Sequence, residues 1–517
     1  MIWFLVSLLK GSALKSAFIW FNVFVISLLF WYRSRNSRVD NFLASLPGPS
    51  SYPIIGSIHL FVGKSKRDIL KKVMRTLDYY SRHKMFRFYV GRNHYAVLAD
   101  PQTIQIVLRN PNCYDKDVTY NFLGIPDVLF TANGEPWVKE RKAASLGFSP
   151  RIISAMDPIY SHRTRGLMDA LRKRAATGEA FNLIEHILPM AIDTISDTFM
   201  GVSLDMQARD NAKYVRAFLR IPDLFIERAM IPVYQPEIIY SLTGKKKEYQ
   251  SCLNLVLAMT REVLEKKMEH RAELNKTSGA SYEAGRKLYL DILLDKFEAS
   301  EKKDMNLLTY EAGEMFVAGS VTVATMVSWV CLLSGVFPEV GDKLREEIDS
   351  CVEDALNATI EDCAKLEYLD LVVKEALRHF TAPFIARKAK KDIQVPDVGT
   401  VPENTRFIVF LMSLHHDARF WEKPHEFYPE HFLPENVKKR PTSSFIPFST
   451  GMRECPGAKY TMQTMKVQVV RILSQFKIVS ARMKPWKNPF LELSLGFGFT
   501  VVPTRGWLVT AELRNQS

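Results

Sequence analysis

Cysteine is scarce in this 517-residue sequence, and the few cysteines present follow no metal-binding or disulfide spacing. Five of the six form no C-x-x-C pair and no zinc-like cluster with histidine: Cys113, Cys252, Cys331, Cys351 and Cys363. We interpret these five as structural thiols in a reducing compartment. The pattern argues against a zinc-stabilised domain and against a disulfide-stapled secreted scaffold.

The sequence also lacks the features that divide long chains into separate domains. It has no interior linker rich in proline, glycine or serine, no internal repeat and no low-complexity tract. Length alone would suggest roughly two to four domains. The absence of linkers instead favours one large globular domain behind an N-terminal segment.

A basic stripe interleaved with aromatic residues, typical of nucleic-acid binding, is missing as well. The net charge is nevertheless +13, with 47% hydrophobic and 24% charged residues. This charge is compatible with an anionic membrane surface, an acidic protein partner or a solvated basic surface that binds nothing. We expect no nucleic-acid partner.

Residues 17–32, AFIWFNVFVISLLFWY, form an almost wholly apolar run, and residues 1–9 add a second one. A helix of this length is slightly short for a bilayer, so the predicted span begins near Ala13 or Leu14, or recruits its flanks. A cleaved signal peptide is the alternative. No convincing small-x-small cleavage site is present, and the aromatic residues suit a retained helix.

Three arginines follow this run: Arg33, Arg35 and Arg38. Basic residues beside a span remain on the cytosolic side, so we expect the downstream domain to face the cytosol. The sequence therefore predicts a membrane anchor with a basic flank at residues 1–45 and a folded domain at residues 46–517.

Apolar periodicity predicts a mainly α fold with a small β region. Helices are predicted at 67–84, 151–175, 187–202, 210–228, 244–271, 308–335, 338–354, 364–379 and 458–476. Strands are predicted as a pair within 85–97, turning at Arg92-Asn93, and at 383–389, 405–410 and 508–513. Residues 272–288 are polar and are predicted to form an exposed loop.

The most informative segment is F-x-x-G-x-R-x-C-x-G, formed by Phe448, Gly451, Arg453, Cys455 and Gly457. Cys455 directly precedes the last predicted helix, whose free N–H groups and positive dipole end favour a thiolate. Gly451 allows a sharp turn, and Gly457 removes a side chain where a flat cofactor must approach the backbone. Arg453 offers a positive fork to a carboxylate. The segment predicts a metal-bound thiolate.

These residues resemble the haem-binding signature of the cytochrome P-450 family at all five specified positions. With average residue usage, the other four would match around a given cysteine with a probability on the order of 10⁻⁵. The resemblance implies a cytochrome P-450 fold with haem b, Cys455 as the axial ligand of the iron, and the other four residues at the cofactor. The anchor, its basic flank and Leu46-Pro-Gly-Pro49 are similar to the amino terminus of microsomal members.

Glu375 and Arg378 lie three residues apart on a predicted helix, so their side chains can pair. Alone, such a pair would be interpreted as a solvated surface contact. The family has an E-x-x-R at a similar distance before its cysteine, where it holds the segment leading to the haem loop. The family's third partner usually comes from a P-E-R-F segment. Here His431 stands in place of that arginine, and its charge depends on pH.

Trp137 and Arg141 lie four residues apart, which places the indole and the guanidinium on one face of a helix. A matching pair in the family binds a haem propionate, so the resemblance implies the same role here. Arg387 is a further candidate propionate partner, with a surface arginine as the alternative.

Ala318, Gly319 and Thr322 lie in an apolar helix, where Gly319 can permit a local kink that makes room for dioxygen. The resemblance implies that Thr322 hydrogen-bonds oxygen on the iron and organises water for proton delivery. The alternative is a threonine that bonds back to its own helix. The residue before this threonine is commonly acidic in the family, but here it is Val321, which cannot relay a proton.

The activity implied is that of a membrane-anchored haem-thiolate monooxygenase that oxidises a lipophilic small molecule. The resemblance implies electrons from NADPH through a separate reductase, with cytochrome b5 as an optional partner, since about 60 residues follow Cys455 and no dinucleotide fingerprint is found. The implied location is the endoplasmic reticulum membrane, with a single span and the catalytic domain in the cytosol.

The substrate class stays open. Residues around IIYSLTGKKKEYQ are similar to the fatty-acid hydroxylating branch, whereas similar haem loops occur in fungal-type members that act on terpenoids, sterols and other secondary metabolites. We favour the second group. Cavity walls are expected from residues 112–130, the Ala318 helix, 382–386 and 496–499, with residues 219–241 as a membrane-facing lip or as buried loop packing.

Two other functions remain open at this stage. Val321 is compatible with a haem-thiolate isomerase or dehydratase that uses an oxygenated substrate without a reductase. A non-catalytic haem sensor or membrane scaffold is the third possibility, and Thr322 beside Gly319 argues against it.

Overall fold

The computed structural model describes residues 12–33, 37–52, 56–61, 66–91, 93–277 and 287–514. Helices dominate this part of the chain. The first of them are α1 (Ser12–Arg33), α2 (Ser37–Ser45), α3 (Lys66–Ser81), α4 (Pro101–Arg109), α5 (Gly134–Gly147), α6 (Pro150–Ser154), α7 (Asp157–Thr177), α8 (Ile184–Ile195), α9 (Ala212–Met230), α10 (Glu237–Leu242) and α11 (Lys245–Thr277). They are followed by α12 (Tyr289–Ala299), α13 (Met305–Val336), α14 (Pro338–Cys351), α15 (Ile360–Ala364), α16 (Glu367–Phe380), α17 (Leu411–Leu414), α18 (Pro434–Val437), α19 (Ala458–Gln475) and α20 (Pro489–Glu492).

The strands are short and form small sheets. They are β1 (Met85–Val90), β2 (Asn93–Leu98), β3 (Phe181–Asn182), β4 (Phe384–Lys388), β5 (Ile393–Val395), β6 (Gly399–Val401), β7 (Arg406–Phe410), β8 (Phe476–Ser480), β9 (Leu495–Phe497), β10 (Val501–Pro503) and β11 (Leu508–Leu513). One sheet has the order β1-β2-β7-β4, with β2 and β7 parallel and the other neighbours antiparallel. A second has the order β3-β11-β8, and β5–β6 and β9–β10 are antiparallel pairs. The predicted mainly α fold with a small β region is confirmed.

Helix α13 passes through the core. Its first turn is capped by the Asp304 carboxylate, which accepts hydrogen bonds from the N–H groups of Asn306 and Leu307 at 2.9 and 3.1 Å. Among the described residues it is the one helix long and apolar enough to cross a membrane, but 83% of its apolar window is buried inside the protein. Trp329 stacks on Phe380 of α16 with ring centroids 3.7 Å apart. A helix apolar on every side is stable here because other elements surround it, so α13 is a core helix.

Helix α1 coincides with the predicted N-terminal apolar segment. The apolar side chains described on it are largely exposed, among them Ile19, Trp20, Phe21, Val23, Phe24 and Ile26. Residues 1–9 and Arg35 lie outside the described residues.

Several boundaries differ from the prediction. The predicted loop at 272–288 is helical as far as Thr277, because residues 272–277 are mostly good helix formers that extend α11; residues 278–286 lie outside the described part. The predicted helix at 151–175 is two helices, the second of which begins with proline in its first turn, a position that favours a helix start. The predicted lip at 219–241 is helical up to Met230, and Pro222 lies inside α9.

Candidate active site

A cavity of about 390 Å³ lies between α13 and the loop that precedes α19. The predicted site residues on its wall are Trp137, Arg141, Ala318, Gly319, Thr322, Arg387, Phe448, Arg453, Cys455 and Gly457. Aliphatic and aromatic side chains from residues 120–130 and 382–385 complete much of the wall, together with Phe499. The fold therefore brings together residues that are far apart in the sequence.

Residues 448–457, the Cys455 loop, form a tight turn at one side of the cavity. The Cys455 N–H donates to the Phe448 carbonyl at 2.9 Å. Gly451 has φ +76°, and a Cβ there would lie 2.2 Å from the Leu108 carbonyl oxygen. The turn therefore requires glycine for its backbone angle and for the close approach of helix α4. Gly451 packs against helix α4 and does not line the cavity, whereas Cys455 does.

The Cys455 thiol has its exposed surface on the cavity side. Burial raises its pKa above the usual value, although the Gly457 N–H and the Arg141 guanidinium act in the opposite direction. The helix N-terminus thus favours the thiolate, as predicted, but it does not outweigh desolvation. A metal cation bonded to the sulfur would lower this pKa and favour the thiolate.

Three cations lie on the wall beside the loop: the buried Arg387 and Arg453 and the half-buried Lys116. Burial lowers the pKa of Arg387, and it lowers that of Arg453 to about 9 with help from Arg387. Burial, Arg387 and Arg453 lower the pKa of Lys116 well below its usual range. Mutually repelling cations in a buried cluster require anions, since an uncompensated buried charge is costly.

The contacts of Arg453 and Arg387 fix the guanidinium groups in place. Arg453 donates to the Tyr114 carbonyl at 2.9 Å and to the Ala132 carbonyl, and it lies 4.0 Å from the ring centre of Trp137. Arg387 donates to the Ala386 carbonyl at 2.8 Å and to the Ser449 hydroxyl at 3.2 Å. Arg453 therefore also joins the Cys455 loop to the segment before α5.

This arrangement fits haem. Cys455 offers a soft sulfur donor, and the buried cations match the two carboxylates of the porphyrin. Gly457 has φ −89°, and a Cβ there would meet protein no closer than 3.4 Å, at Phe148. No backbone angle or protein contact requires glycine at position 457. We therefore attribute this glycine to the space that it leaves on the cavity side.

Helix α13 forms the opposite wall. The Thr322 hydroxyl donates to the Ala318 carbonyl at 2.7 Å, which is the back-bonded alternative considered above. The helix is assigned without interruption through Gly319. A Cβ at Gly319 would lie 2.6 Å from Cδ1 of Ile195, so this glycine permits the close packing of α8 on α13. Val321 is buried and does not line the cavity.

Glu375, Arg378 and His431 lie away from the cavity, in a fully buried cluster. Arg378 donates to both carboxylate oxygens of Glu375, at 2.8 and 2.7 Å. Its Nη1 group donates to the carbonyls of His415 and Pro424 at 2.7 and 2.6 Å, and Nη2 also donates to the Glu426 carbonyl at 3.0 Å. His431 Nδ1 lies 3.3 Å from each Glu375 oxygen. The predicted pair is thus a buried junction between α16 and the segment that leads to the Cys455 loop.

The sequence analysis missed three charged residues on the cavity wall: Glu454 of the Cys455 loop, Lys116 and Glu314. Lys116 lies within the segment predicted to form a wall, but its charge was not considered. Glu314 precedes Ala318 by one helical turn and therefore shares its face of α13. That spacing is the signal by which Glu314 could have been found.

Comparison with known proteins is consistent with this geometry. The family model described as cytochrome P450 matches residues 46–504. Cytochrome P450 4c21 of Blattella germanica is 26% identical over 466 residues, covering 88% of this chain and 91% of that protein. Cytochrome P450 4V2 of Homo sapiens is 27% identical over 480 residues, covering 90% and 89%. These insect and mammalian relatives give no support to the expected fungal-type assignment. Since the family model spans most of the sequence, the chain belongs to the cytochrome P450 family, the haem-binding monooxygenases.

Proposed function

We propose that this protein is a membrane-anchored monooxygenase that transfers one oxygen atom of O2 to a lipophilic small molecule, with Cys455 as the axial ligand of haem iron. The observation that supports this most directly is the position of Cys455, whose thiol faces a largely apolar cavity opposite Ala318 and Thr322. Haem bound through a thiolate supplies electron density that favours cleavage of the O–O bond. The apolar wall excludes water and accepts a lipophilic substrate.

Residues of the protein itself would bind the cofactor's carboxylates and assist proton delivery. Arg387, Arg141 and Trp137 would hold the propionates, while Gly457 leaves room for the porphyrin. The Thr322 proton is engaged by the Ala318 carbonyl, so Oγ1 offers its lone pairs to a water in the cavity. Because Val321 cannot carry a proton, delivery depends on water or on a substrate hydroxyl.

Electrons would come from NADPH through a separate reductase, with cytochrome b5 as an optional second donor. The outer face of α5 supports this, because Lys139 and Lys142 are exposed on the helix that places Arg141 in the cavity. Val138 and Leu146 on the same helix are exposed apolar residues. A basic rim with apolar residues suits an acidic reductase surface and steers its approach.

The membrane anchor would be α1, at the endoplasmic reticulum, with a single span and the domain 46–517 in the cytosol. A second apolar surface lies on α10, where Ile238 and Leu242 are 76% and 82% exposed. The segment before α10 contacts β2 through Gln235 and Asn93, 3.2 Å apart, and α2 contacts the same strand through Asp40 and His94. The exposed apolar helix and the end of the anchor therefore share one side of the domain.

For the substrate we propose a terpenoid, a sterol or another lipophilic secondary metabolite, and a fatty acid fits the apolar cavity as well. Val321 supports a second candidate function, an isomerase or dehydratase of an oxygenated lipid that needs no reductase. Product formation from lipid extracts, with and without reductase and NADPH, distinguishes the two: turnover that needs neither favours the second.

The ligand assignment is tested by replacing Cys455 with alanine in the full-length haem-loaded protein. We expect the thiolate-type carbon monoxide spectrum and NADPH-dependent product formation to disappear, because sulfur is the axial donor. Cys351→Ala is the matched control, since Cys351 is exposed and remote from the cavity wall. An unchanged carbon monoxide spectrum in Cys455→Ala would refute the assignment.

A further inference from the structure

Glu314 is the one acidic residue among the described residues of the cavity wall apart from Glu454 of the Cys455 loop. It lies on α13, one helical turn before Ala318, or about 6 Å along the helix axis. It therefore lines the same cavity as Cys455. Neither haem ligation nor propionate binding uses it.

The carboxylate of Glu314 is held by two backbone groups. One oxygen accepts from the Leu129 N–H at 3.1 Å and the other from the Phe130 N–H at 2.9 Å. A carboxylate oxygen can accept two hydrogen bonds, so each still has a lone pair available. These contacts fix the orientation of the group without saturating it.

No described lysine, arginine or histidine nitrogen lies within 4.0 Å of this carboxylate. Lys116 is near enough to favour its charged form, but the Lys116 ammonium lies 3.3 Å from the ring centre of Phe130, in the field of Arg387 and Arg453. Burial raises the pKa of Glu314 to about 8, opposed by the Phe130 N–H and Lys116. A carboxylate that faces a largely apolar cavity without an ion-pair partner is costly to ionise unless a ligand supplies a donor.

We propose that Glu314 recognises the substrate, accepting a hydrogen bond from a hydroxyl or ammonium group located about one helical turn from the carbon to be oxidised. The inference rests on the proposed function and narrows its substrate class. It favours an amphipathic molecule with a hydrogen-bond donor at that distance. A free fatty acid is disfavoured above the pKa of Glu314, because its carboxylate would then meet a second carboxylate at this wall.

A purely structural role is the competing explanation, in which Glu314 only anchors residues 129 and 130 to α13. The two roles differ in what they predict for ligands. An anchor affects every ligand to a similar degree, because it shapes the whole cavity. A recognition group affects those ligands that carry a donor.

The test uses the full-length, haem-loaded protein at about pH 9, above the pKa of Glu314, and the change in haem absorption on ligand binding. Four probes of one chain length are titrated: 1-dodecanol, 1-methoxydodecane, dodecane and dodecanoate. In the wild-type protein we expect the alcohol to bind roughly tenfold more tightly than its methyl ether, as a hydrogen bond to a charged group would give, and dodecanoate to bind most weakly.

Glu314→Gln should reduce the alcohol-to-ether ratio to within about twofold, because the amide is uncharged and its NH2 group cannot accept a hydrogen bond, which leaves one acceptor oxygen in place of two. Partitioning of the probes into lipid cancels in the comparison of these ratios. Glu311→Gln is the matched control, since Glu311 is buried on the same helix three residues earlier but does not line the cavity. That variant should keep the wild-type ratio.

Equal binding of alcohol and ether to the wild type, or tightest binding of dodecanoate, overturns the inference. An equal loss of affinity for all four probes in Glu314→Gln overturns it as well, since that result identifies an anchor. If the variant does not fold, the comparison of the four probes in the wild-type protein still tests the inference. A preserved alcohol preference with no reductase-dependent product would contradict the proposed monooxygenase function and leave the recognition role in place.

Discussion

The two walls of the cavity are built differently. On the cysteine side, the Cys455 loop is fixed by protein contacts, and behind it the Glu375–Arg378 pair is fully buried and bonded to backbone carbonyls. On the α13 side, Thr322 and Glu314 face an otherwise largely apolar space with hydrogen-bonding capacity left over. The position of the Cys455 sulfur is therefore set by contacts within the protein, whereas the polar groups of the opposite wall can still bind a ligand.

The largest effect should follow from breaking the buried pair on the cysteine side. Glu375→Gln leaves the Arg378 charge without its counter-ion, which should lower the free energy of unfolding by about 3–5 kcal/mol. Urea unfolding of the haem-loaded protein measures this loss. Asp169→Asn, at an exposed pair with Arg172, should cost less than about 1 kcal/mol. Equal losses in the two variants would show that the buried cluster is not what fixes this wall.

On the same side of the cavity, substitutions at two glycines distinguish a requirement of the fold from a requirement of cofactor binding. Gly451→Ala should lower the free energy of unfolding by at least about 1–2 kcal/mol, since its φ of +76° disfavours a side chain and the added Cβ meets the Leu108 carbonyl. Gly457→Ala should change stability by about 0.5 kcal/mol or less and reduce haem content. Urea unfolding and haem absorbance per protein measure the two quantities. Full haem content in Gly457→Ala would contradict the assignment of its free space to the porphyrin.

Low pH should lower the free energy of unfolding, because the buried histidines on the cysteine side bind protons less readily in the folded protein than in the unfolded chain. Burial, with Arg378 nearby, lowers the pKa of His379 to about 4 and that of His415 to about 3. An unfolded chain binds these protons at about pH 6.5, so the contribution to stability is complete above that pH and declines as the pH falls toward 4. Each histidine contributes up to about 1.4 kcal/mol per pH unit in this window.

His379→Gln should therefore flatten the dependence of the free energy of unfolding on pH by about one proton, measured by urea unfolding between neutral pH and about pH 5. His162→Gln is the control, because His162 is exposed on α7. An unchanged slope in His379→Gln would mean that acid acts elsewhere in the molecule.

The smallest effect on stability is expected at the α13 wall. Thr322→Val removes a hydroxyl that, among the described residues, donates to the Ala318 carbonyl of its own helix, so the free energy of unfolding should change by less than about 1 kcal/mol. The ratio of oxygen consumed to product formed should nevertheless rise several-fold, because the lone pairs that hold water are lost. Thr325→Val, one turn further and buried away from the cavity, should leave this ratio unchanged. Equal ratios in the two variants would remove Thr322 from proton delivery.

Much of the cysteine side could be predicted from the sequence. The five residues of the F-x-x-G-x-R-x-C-x-G segment are close in the chain, so their turn and the helix that follows depend on local geometry. Glu375 and Arg378 were predicted to pair because three residues separate them on a helix, and they do. That the pair is buried depends on carbonyls at residues 415 and 424, which no local pattern indicates.

The α13 wall was less predictable. Gly319 was expected to allow a kink, but it makes room for Ile195, a residue far away in the sequence. The boundary at residue 272 was also wrong, because helix propensity extended α11 beyond the point where polar composition suggested a loop.

The sequence by itself determined the family, the F-x-x-G-x-R-x-C-x-G segment and the succession of mainly helical elements, because these follow from neighbouring residues and from the periodicity of backbone hydrogen bonds. Only the tertiary structure decided which charges share the cavity. Lys116, Glu314, Arg387 and Arg453 come from four separate segments, and their burial and mutual fields arise only when the fold removes water from between them.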